Sequence, residues 1–234
     1  MIFAVVPAFN EEDRICQTIR GLRSIAELDG VLVVDDGSRD STAKVVASRF
    51  RGEILLSRLA TNRGKGFALN HGMRLLAGRG ARAYVFCDAD LGYTSRQISR
   101  LIRPILAGEA DLVTARFPAS ASGGGFGLVV GLARWVIRKI SGISVEAPLS
   151  GQRAFRAEVW NASGPCAPGF GAEAVFTARA LRAGFRLREI DTAMQHRATG
   201  MQWGDVLHRA RQLWDVLCGF LWMMWADRRR WEKV

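Results

Sequence analysis

Short runs of consecutive apolar residues alternate along this chain with longer stretches whose apolar positions recur three and four apart. Ile2–Val6, Val31–Val34, Glu53–Leu56, the run Tyr84-Val85-Phe86-Cys87 and Asp111–Ala115 read as strands. Between the first two, Ile15, Ile19 and Leu22 keep helical spacing, and Asn10 followed by Asp13 predicts the helix start. Ser38 or Asp40 opens a second helix that runs to about Phe50. A third follows the loop Asn62-Arg63-Gly64-Lys65-Gly66 and ends near Leu76, and a fourth covers Gln97–Leu106. This β-α-β-α-β order, with continuous apolar strands, predicts an α/β fold: a mostly parallel, Rossmann-like sheet with helices on both faces. Ligands of such sheets bind beyond the carboxyl ends of the strands.

Those ends carry the polar residues of interest. Tyr84–Cys87 runs into Asp88-Ala89-Asp90, and alternation along a continuing strand would put both carboxylates on one side. Two carboxylates there suit a hard divalent cation that bridges to a diphosphate; the plainer alternative is a helix cap or turn aspartate. Val34 is followed by Asp35-Asp36-Gly37-Ser38, where one acid can accept hydrogen bonds from a base or ribose, although a turn and a helix cap explain Gly37 and Ser38. Lys65 enters a helix from a glycine-rich turn, a place suited to phosphate or simply to a solvated lysine. Glu11 follows the first strand, close enough to touch a base or to favour a helix N-terminus.

Composition narrows the classes. With 234 residues, 49% of them hydrophobic, the chain suits one large α/β domain, and no Pro/Gly/Ser-rich linker divides it. A net charge of +11 favours anionic partners: phosphorylated substrates, an acidic membrane surface or nucleic acid. Basic residues are dispersed apart from Arg228–Arg230, and neither zinc-finger spacing nor an aromatic-basic signature is present, so nucleic acid is set aside. Cys16, Cys87, Cys166 and Cys218 form no CxxC pair and read as reduced thiols of a cytoplasmic protein. The chain opens directly on a strand, with no basic, cleavable leader.

Four ordered segments resemble the signatures of family 2 glycosyltransferases: Val6-Pro7-Ala8-Phe9-Asn10-Glu11-Glu12, Val34–Ser38, Asn62–Gly66 and Asp88–Asp90. The similarity is strongest to the branch of dolichyl- and polyprenyl-phosphate sugar synthases. Looser similarity extends to Ser150-Gly151-Gln152-Arg153, Gly169–Glu173 and His196–Gly200. The resemblance implies a GT-A fold and an inverting, metal-dependent transfer from a nucleotide-diphosphate sugar. Pro7, Ala8, Asn10, Glu11 and Asp36 would then line the nucleoside pocket, and Asp88 and Asp90 would hold Mg²⁺ or Mn²⁺ behind the leaving diphosphate. Arg197 would reach a donor or acceptor phosphate, with Arg116, Arg134 and Arg153 as further phosphate candidates. One departure is Gly92, where the lipid-phosphate branch commonly carries a glutamine in the metal shell.

Glu173 is the candidate catalytic base if the acceptor is a hydroxyl; an acceptor phosphate is already anionic and needs none, leaving Glu173 to position groups or cap a helix. The expected acceptor is a polyprenyl phosphate or other lipid-linked molecule. The alternatives are a soluble hydroxyl acceptor, or a relative that binds nucleotide or partners without turnover. Residues 1–202 form the expected catalytic domain and 203–234 a Trp/Arg-rich C-terminal helix. Val216–Ala226 carries no charge, but eleven helical residues span about 17 Å against a hydrocarbon core of about 30 Å. With Trp214, Trp222, Trp225, Trp231 and Arg228–Arg230 beside it, the segment suits an interfacial anchor; burial against the domain or in a homodimer is the competing account. Phe126–Val145 is a second apolar, basic segment that could flank the same surface or lie in the core. The expected location is cytoplasmic, peripheral at the inner face of the cell membrane.

Overall fold

In a computed structural model, which describes residues 1–117, 127–167, 169–195, 218–220 and 223, the chain builds one seven-stranded sheet. The strands are β1 (Ile2–Ala8), β2 (Gly30–Asp35), β3 (Leu55–Arg58), β4 (Ala83–Phe86), β5 (Leu112–Arg116), β6 (Arg153–Arg156) and β7 (Leu187–Asp191). The helices are α1 (Ile15–Arg23), α2 (Thr42–Arg49), α3 (Lys65–Leu76), α4 (Ser99–Leu106), α5 (Gly127–Ser141), α6 (Ala157–Ser163) and α7 (Ala172–Arg182). The spatial order is β3-β2-β1-β4-β6-β5-β7, and only β6 runs against its neighbours. The chain steps outward from β1 through β2 to β3 and then crosses back to β4 on the other side of β1, so the switch point, where such sheets open a crevice, falls between the ends of β1 and β4. The expected mostly parallel α/β sheet is what forms.

The period of two in β1 sorts its side chains onto both faces. Ile2, Ala4 and Val6 pack with Ile15, Ile19 and Leu22 of α1 and with Leu101, Ile102 and Ile105 of α4. Phe3 and Val5 pack with Leu69, Met73 and Leu76 of α3 on the other face. The same second layer holds an aromatic group: Phe155 lies 4.8 Å from Phe86, edge to face, and 4.9 Å from Phe176. A third cluster joins Val129, Ala133 and Ile137 of α5 to Ala174, Val175, Ala178 and Leu181 of α7, with Phe220 and Met223 buried beside them.

Several boundaries differ from the expected ones for local reasons. Asn10 does not cap a helix. Its backbone takes a φ of +56° and its side-chain oxygen accepts the Arg39 N–H at 2.9 Å, so α1 starts only at Ile15 after a turn over Glu11. The second helix starts at Thr42, because the Asp40 carboxylate accepts both the N–H and the hydroxyl of that residue. Glu53 belongs to a turn, its N–H bonded to the Phe50 carbonyl, and β3 begins two residues later. Ahead of α4, a 3₁₀ helix covers Gly92–Ile98. β6, β7 and α6 were not among the expected elements.

The aromatic group fastens the antiparallel strand to β4. Phe155 is fully buried, and Phe155→Ala is expected to cost about 3–5 kcal/mol of stability, the range for deleting a core phenyl ring. Urea denaturation measures it; a loss under about 1 kcal/mol would show that this layer repacks freely.

Candidate functional site

The crevice is built from strand ends and helix starts. β4 ends at Phe86, and Ala89–Asp90 form a turn, so the turn rather than strand alternation presents Asp88 and Asp90. α1 stitches that turn in place. The Thr18 hydroxyl donates to the Ala89 carbonyl at 2.7 Å and accepts the Gly92 N–H at 2.9 Å, while Arg14 Nη1 donates to the Asp90 carbonyl at 3.1 Å. Gly92 has a φ of +56°, which explains glycine at that position in backbone terms.

Lys65, the first residue of α3, reaches across the crevice. Its ammonium lies 2.5 Å from Asp88 Oδ1 and 2.7 Å from Glu173 Oε1, and Glu173 stands in the first turn of α7. The two carboxylates outweigh the cost of burial and hold the ammonium above the ordinary lysine range. Lys65 therefore stays charged at any working pH, and the ammonium's own contribution to stability is lost as pH rises through that raised range. Burial, and next the charges of Asp88 and Asp90, push the Cys87 thiol well above its usual value.

Two further acids shape the rim. Asp36 is buried and accepts the N–H groups of Arg63 and Gly64 at 2.9 and 2.7 Å, which fixes the loop that delivers Lys65. Asp35 accepts the Ser38 N–H and pairs with Arg58 at 3.1 Å. Pro7 and Ala8 lie in register with Val34 and Asp35, and the N–H groups of Asn10 and Glu11 donate to the hydroxyls of Ser38 and Thr42. The ends of β1 and β2 thus make one wall.

Ser150–Arg153 closes the opposite side. Asp88 N–H donates to Gln152 Oε1 at 2.9 Å, and Gln152 Nε2 donates to Asp88 Oδ2 at 2.7 Å. Arg153 is fully buried beneath, giving its guanidinium to the carbonyls of Ser150 and Glu173 and to the Thr177 hydroxyl; burial lowers its pKa, against the pull of Glu173. Arg153 thereby ties the crevice floor to α7. Arg116, at the end of β5, spends its guanidinium on Asp191 and Glu146, and Arg134 donates to the Glu146 carbonyl. Arg197 falls outside the described residues, as does the C-terminal segment apart from 218–220 and 223.

The structure thus brings together Asp88, Lys65 and Glu173, with Asp36 behind Lys65 and Asp90 in the turn beside Asp88. It places Arg116 in ion pairs, Arg134 on a main-chain carbonyl at the surface and Arg153 in the interior. Sequence reading assigned no role to Arg14, Thr18 and Gln152. Gln152 lies in a quoted motif, but an amide carries no charge to flag it. Among the described residues no group of three or more His, Cys, Asp or Glu is set to hold a metal. Two carboxylates of hard oxygen chemistry nevertheless fit a cation that completes its shell with donor phosphates and water. Asp88 already bears a cationic neighbour at one oxygen.

Comparison with known proteins bears on the family and the fold. A family model described as glycosyl transferase family 2 matches residues 3–167. An undecaprenyl-phosphate mannosyltransferase of Micrococcus luteus is 26% identical over 212 residues, covering 85% of each chain. A UDP-N-acetylglucosamine–dolichyl-phosphate N-acetylglucosaminyltransferase of Methanococcus voltae is 26% identical over 127 residues, 48% of this chain and 50% of that one. The chain likewise spans 42% of an uncharacterized Methanocaldococcus jannaschii protein, at 32% identity over 45% of its own length. Among solved structures, glucosyl-3-phosphoglycerate synthase from Mycobacterium tuberculosis with Mn²⁺, UDP-glucose and phosphoglyceric acid is 27% identical, with a TM-score of 0.69 over 93% of this chain and 79% of that one. The same enzyme with Mg²⁺ and UDP gives 0.71 at 26% identity, over 95% and 79%.

Lys65→Met would leave two carboxylates facing each other across the crevice without their shared cation. It is expected to cost about 2 kcal/mol, or roughly 4–8 °C in thermal midpoint for a chain of this size. Differential scanning calorimetry of the ligand-free protein checks this, and an unchanged midpoint would show that the ammonium contributes nothing there.

Proposed function

The chain belongs to glycosyl transferase family 2, and from that premise we propose that it transfers a sugar from a nucleotide-diphosphate donor to a polyprenyl phosphate or another lipid-linked acceptor. The observation that carries the metal-dependent part of this reading is the crevice's charge. In a chain of net charge +11, Asp88 and Glu173 close on Lys65 from two sides, and Asp90 follows in the turn two residues past Asp88. A diphosphate approaching such a group is repelled unless a divalent cation comes with it. Asp88 and Asp90 would hold that Mg²⁺ or Mn²⁺. When bound, the ion neutralises the charge that develops on the leaving diphosphate.

The chain's own residues supply the rest. The wall formed by Pro7, Ala8, Asn10 and Glu11, with Asp36 behind the Lys65 loop, would take the nucleoside. Lys65 would turn from Asp88 toward the diphosphate, a short movement for a flexible side chain, and Arg197 would add a second positive charge. Inversion requires the acceptor oxygen to form its bond to the anomeric carbon as the bond to the diphosphate breaks on the opposite side. With a phosphate acceptor the attacking oxygen is already anionic. With a hydroxyl acceptor Glu173 would take the proton, and it could do so only after Lys65 had left it.

The lipid acceptor draws support from the Micrococcus relative and from α5. That helix presents exposed Leu128 and Trp135, with Ile143 just beyond it and Arg138 and Lys139 in its last turn, and it lies against α7, which carries Glu173. A peripheral site on the cytoplasmic membrane face follows from this reading. Among the described residues no helix is long and apolar enough to cross a membrane. A soluble hydroxyl acceptor is the second reading, favoured by the phosphoglyceric acid held in the solved relative.

A panel of UDP- and GDP-sugars labelled in the sugar, offered polyprenyl phosphate or phosphoglyceric acid, separates the two. Label in the organic phase that depends on Mn²⁺ or Mg²⁺ is the expected result, and label confined to the aqueous phase contradicts the lipid acceptor. Asp90→Ala should lower turnover by about 10²-fold or more, the scale of losing a transition-state charge stabiliser. Unchanged turnover would remove Asp90 from the metal site.

A further inference from the structure

We infer that Gln152 is a positioning residue whose buried carboxamide holds the Asp88 carboxylate in the orientation that receives the divalent cation; this rests on the metal reading above. The contact is reciprocal. Asp88 offers one donor, its own N–H, and one acceptor, Oδ2, and a single primary amide matches both at 2.9 and 2.7 Å. With Oδ2 engaged by Gln152, it is Oδ1 that faces the ammonium of Lys65 at 2.5 Å. The two carboxylate oxygens thus divide the work, one for the protein and one for a cation.

The holder is itself held. Gln152 is fully buried, and its carbonyl accepts the Ala115 N–H at 3.0 Å, which anchors it to the end of β5. Arg153 opens β6 and pairs with Phe86 on one side and Thr114 on the other, so an antiparallel strand starts at the edge where β4 and β5 finish. That reversal brings Gln152 beside Asp88. Gly151 permits the approach: a Cβ there would lie 2.5 Å from Asp88 Oδ2 and 2.5 Å from the Lys65 ammonium. A contact serving only the fold could have been made between apolar side chains at lower desolvation cost. Groups that orient metal-binding carboxylates typically contribute 10–100-fold in metal affinity.

The test is Mn²⁺ uptake by full-length protein in the presence of UDP, read from the loss of the free-ion signal in electron paramagnetic resonance. Gln152→Met keeps the length and removes both polar atoms; Gln152→Asn keeps the amide but is one methylene too short to reach both Asp88 groups. Each is expected to weaken Mn²⁺ binding by about 10–100-fold. Metal-free UDP affinity should stay within about twofold, and excess Mn²⁺ should restore kcat. Should the methionine variant fail to fold, the asparagine variant decides by itself. Mn²⁺ affinity within about threefold of wild type in a cooperatively folded variant overturns the inference while leaving the metal reading intact. Wild-type protein that takes up no Mn²⁺ with UDP, or an Asp88→Asn variant that binds it as wild type does, overturns the metal reading and this inference with it.

Discussion

Two carboxylates from distant parts of the chain share one ammonium at the mouth of the sheet, and the crevice takes its form from that arrangement. Asp88 arrives at the end of β4, Glu173 in the first turn of α7 and Lys65 at the start of α3. None could be left there alone, since an unpaired charge at a half-buried site is costly. Together they leave a net negative charge, and on the proposed function that charge would receive a divalent cation and, through it, a diphosphate. The positive charge of the chain as a whole lies elsewhere, much of it on exposed helices.

The surrounding structure serves to hold these groups in place. Asp36 fastens the loop ahead of Lys65, Arg14 and Thr18 fasten the turn after Asp88, and Arg153 binds the floor to α7. Each acts chiefly on main-chain groups, so it fixes the backbone of the loop, turn or helix start it touches. The switch between β1 and β4 opens the crevice, and the reversed β6 closes one side of it. The fold therefore rests on the sheet, whereas on the proposed function the choice of acceptor would fall to α5, α7 and the segments around them.

Much of this could be read from the residues alone. Continuous Val/Ile/Leu runs gave β1 and β2, and helical spacing gave α1, because local pattern and tertiary burial agree there. β6 escaped because Arg153-Ala154-Phe155-Arg156 is short and begins and ends in arginine, the first of which is buried through carbonyl and hydroxyl partners that no local pattern reveals. β7 escaped because Leu187–Asp191 mixes charged and apolar residues on the last strand of the sheet. At the site, Asp88, Asp90, Lys65 and Glu173 were all singled out. What was not legible was which of them meet: the Lys65 bridge joins residues 23 and 108 positions away along the chain. Arg116 and Arg153 carry the charge expected of phosphate ligands, yet their partners are carboxylates in one case and carbonyls in the other.

The central claim is that Asp88 and Asp90 share a divalent cation with the donor diphosphate. A crystal of the protein with UDP and Mn²⁺, phased to show the anomalous signal of manganese, tests it most directly. The account predicts one peak in inner-sphere contact with a carboxylate oxygen of the pair and with the diphosphate, and Lys65 drawn from Asp88 toward the phosphates. UDP seated in the crevice with no manganese at either aspartate, and Lys65 still bridging Asp88 and Glu173, would contradict it.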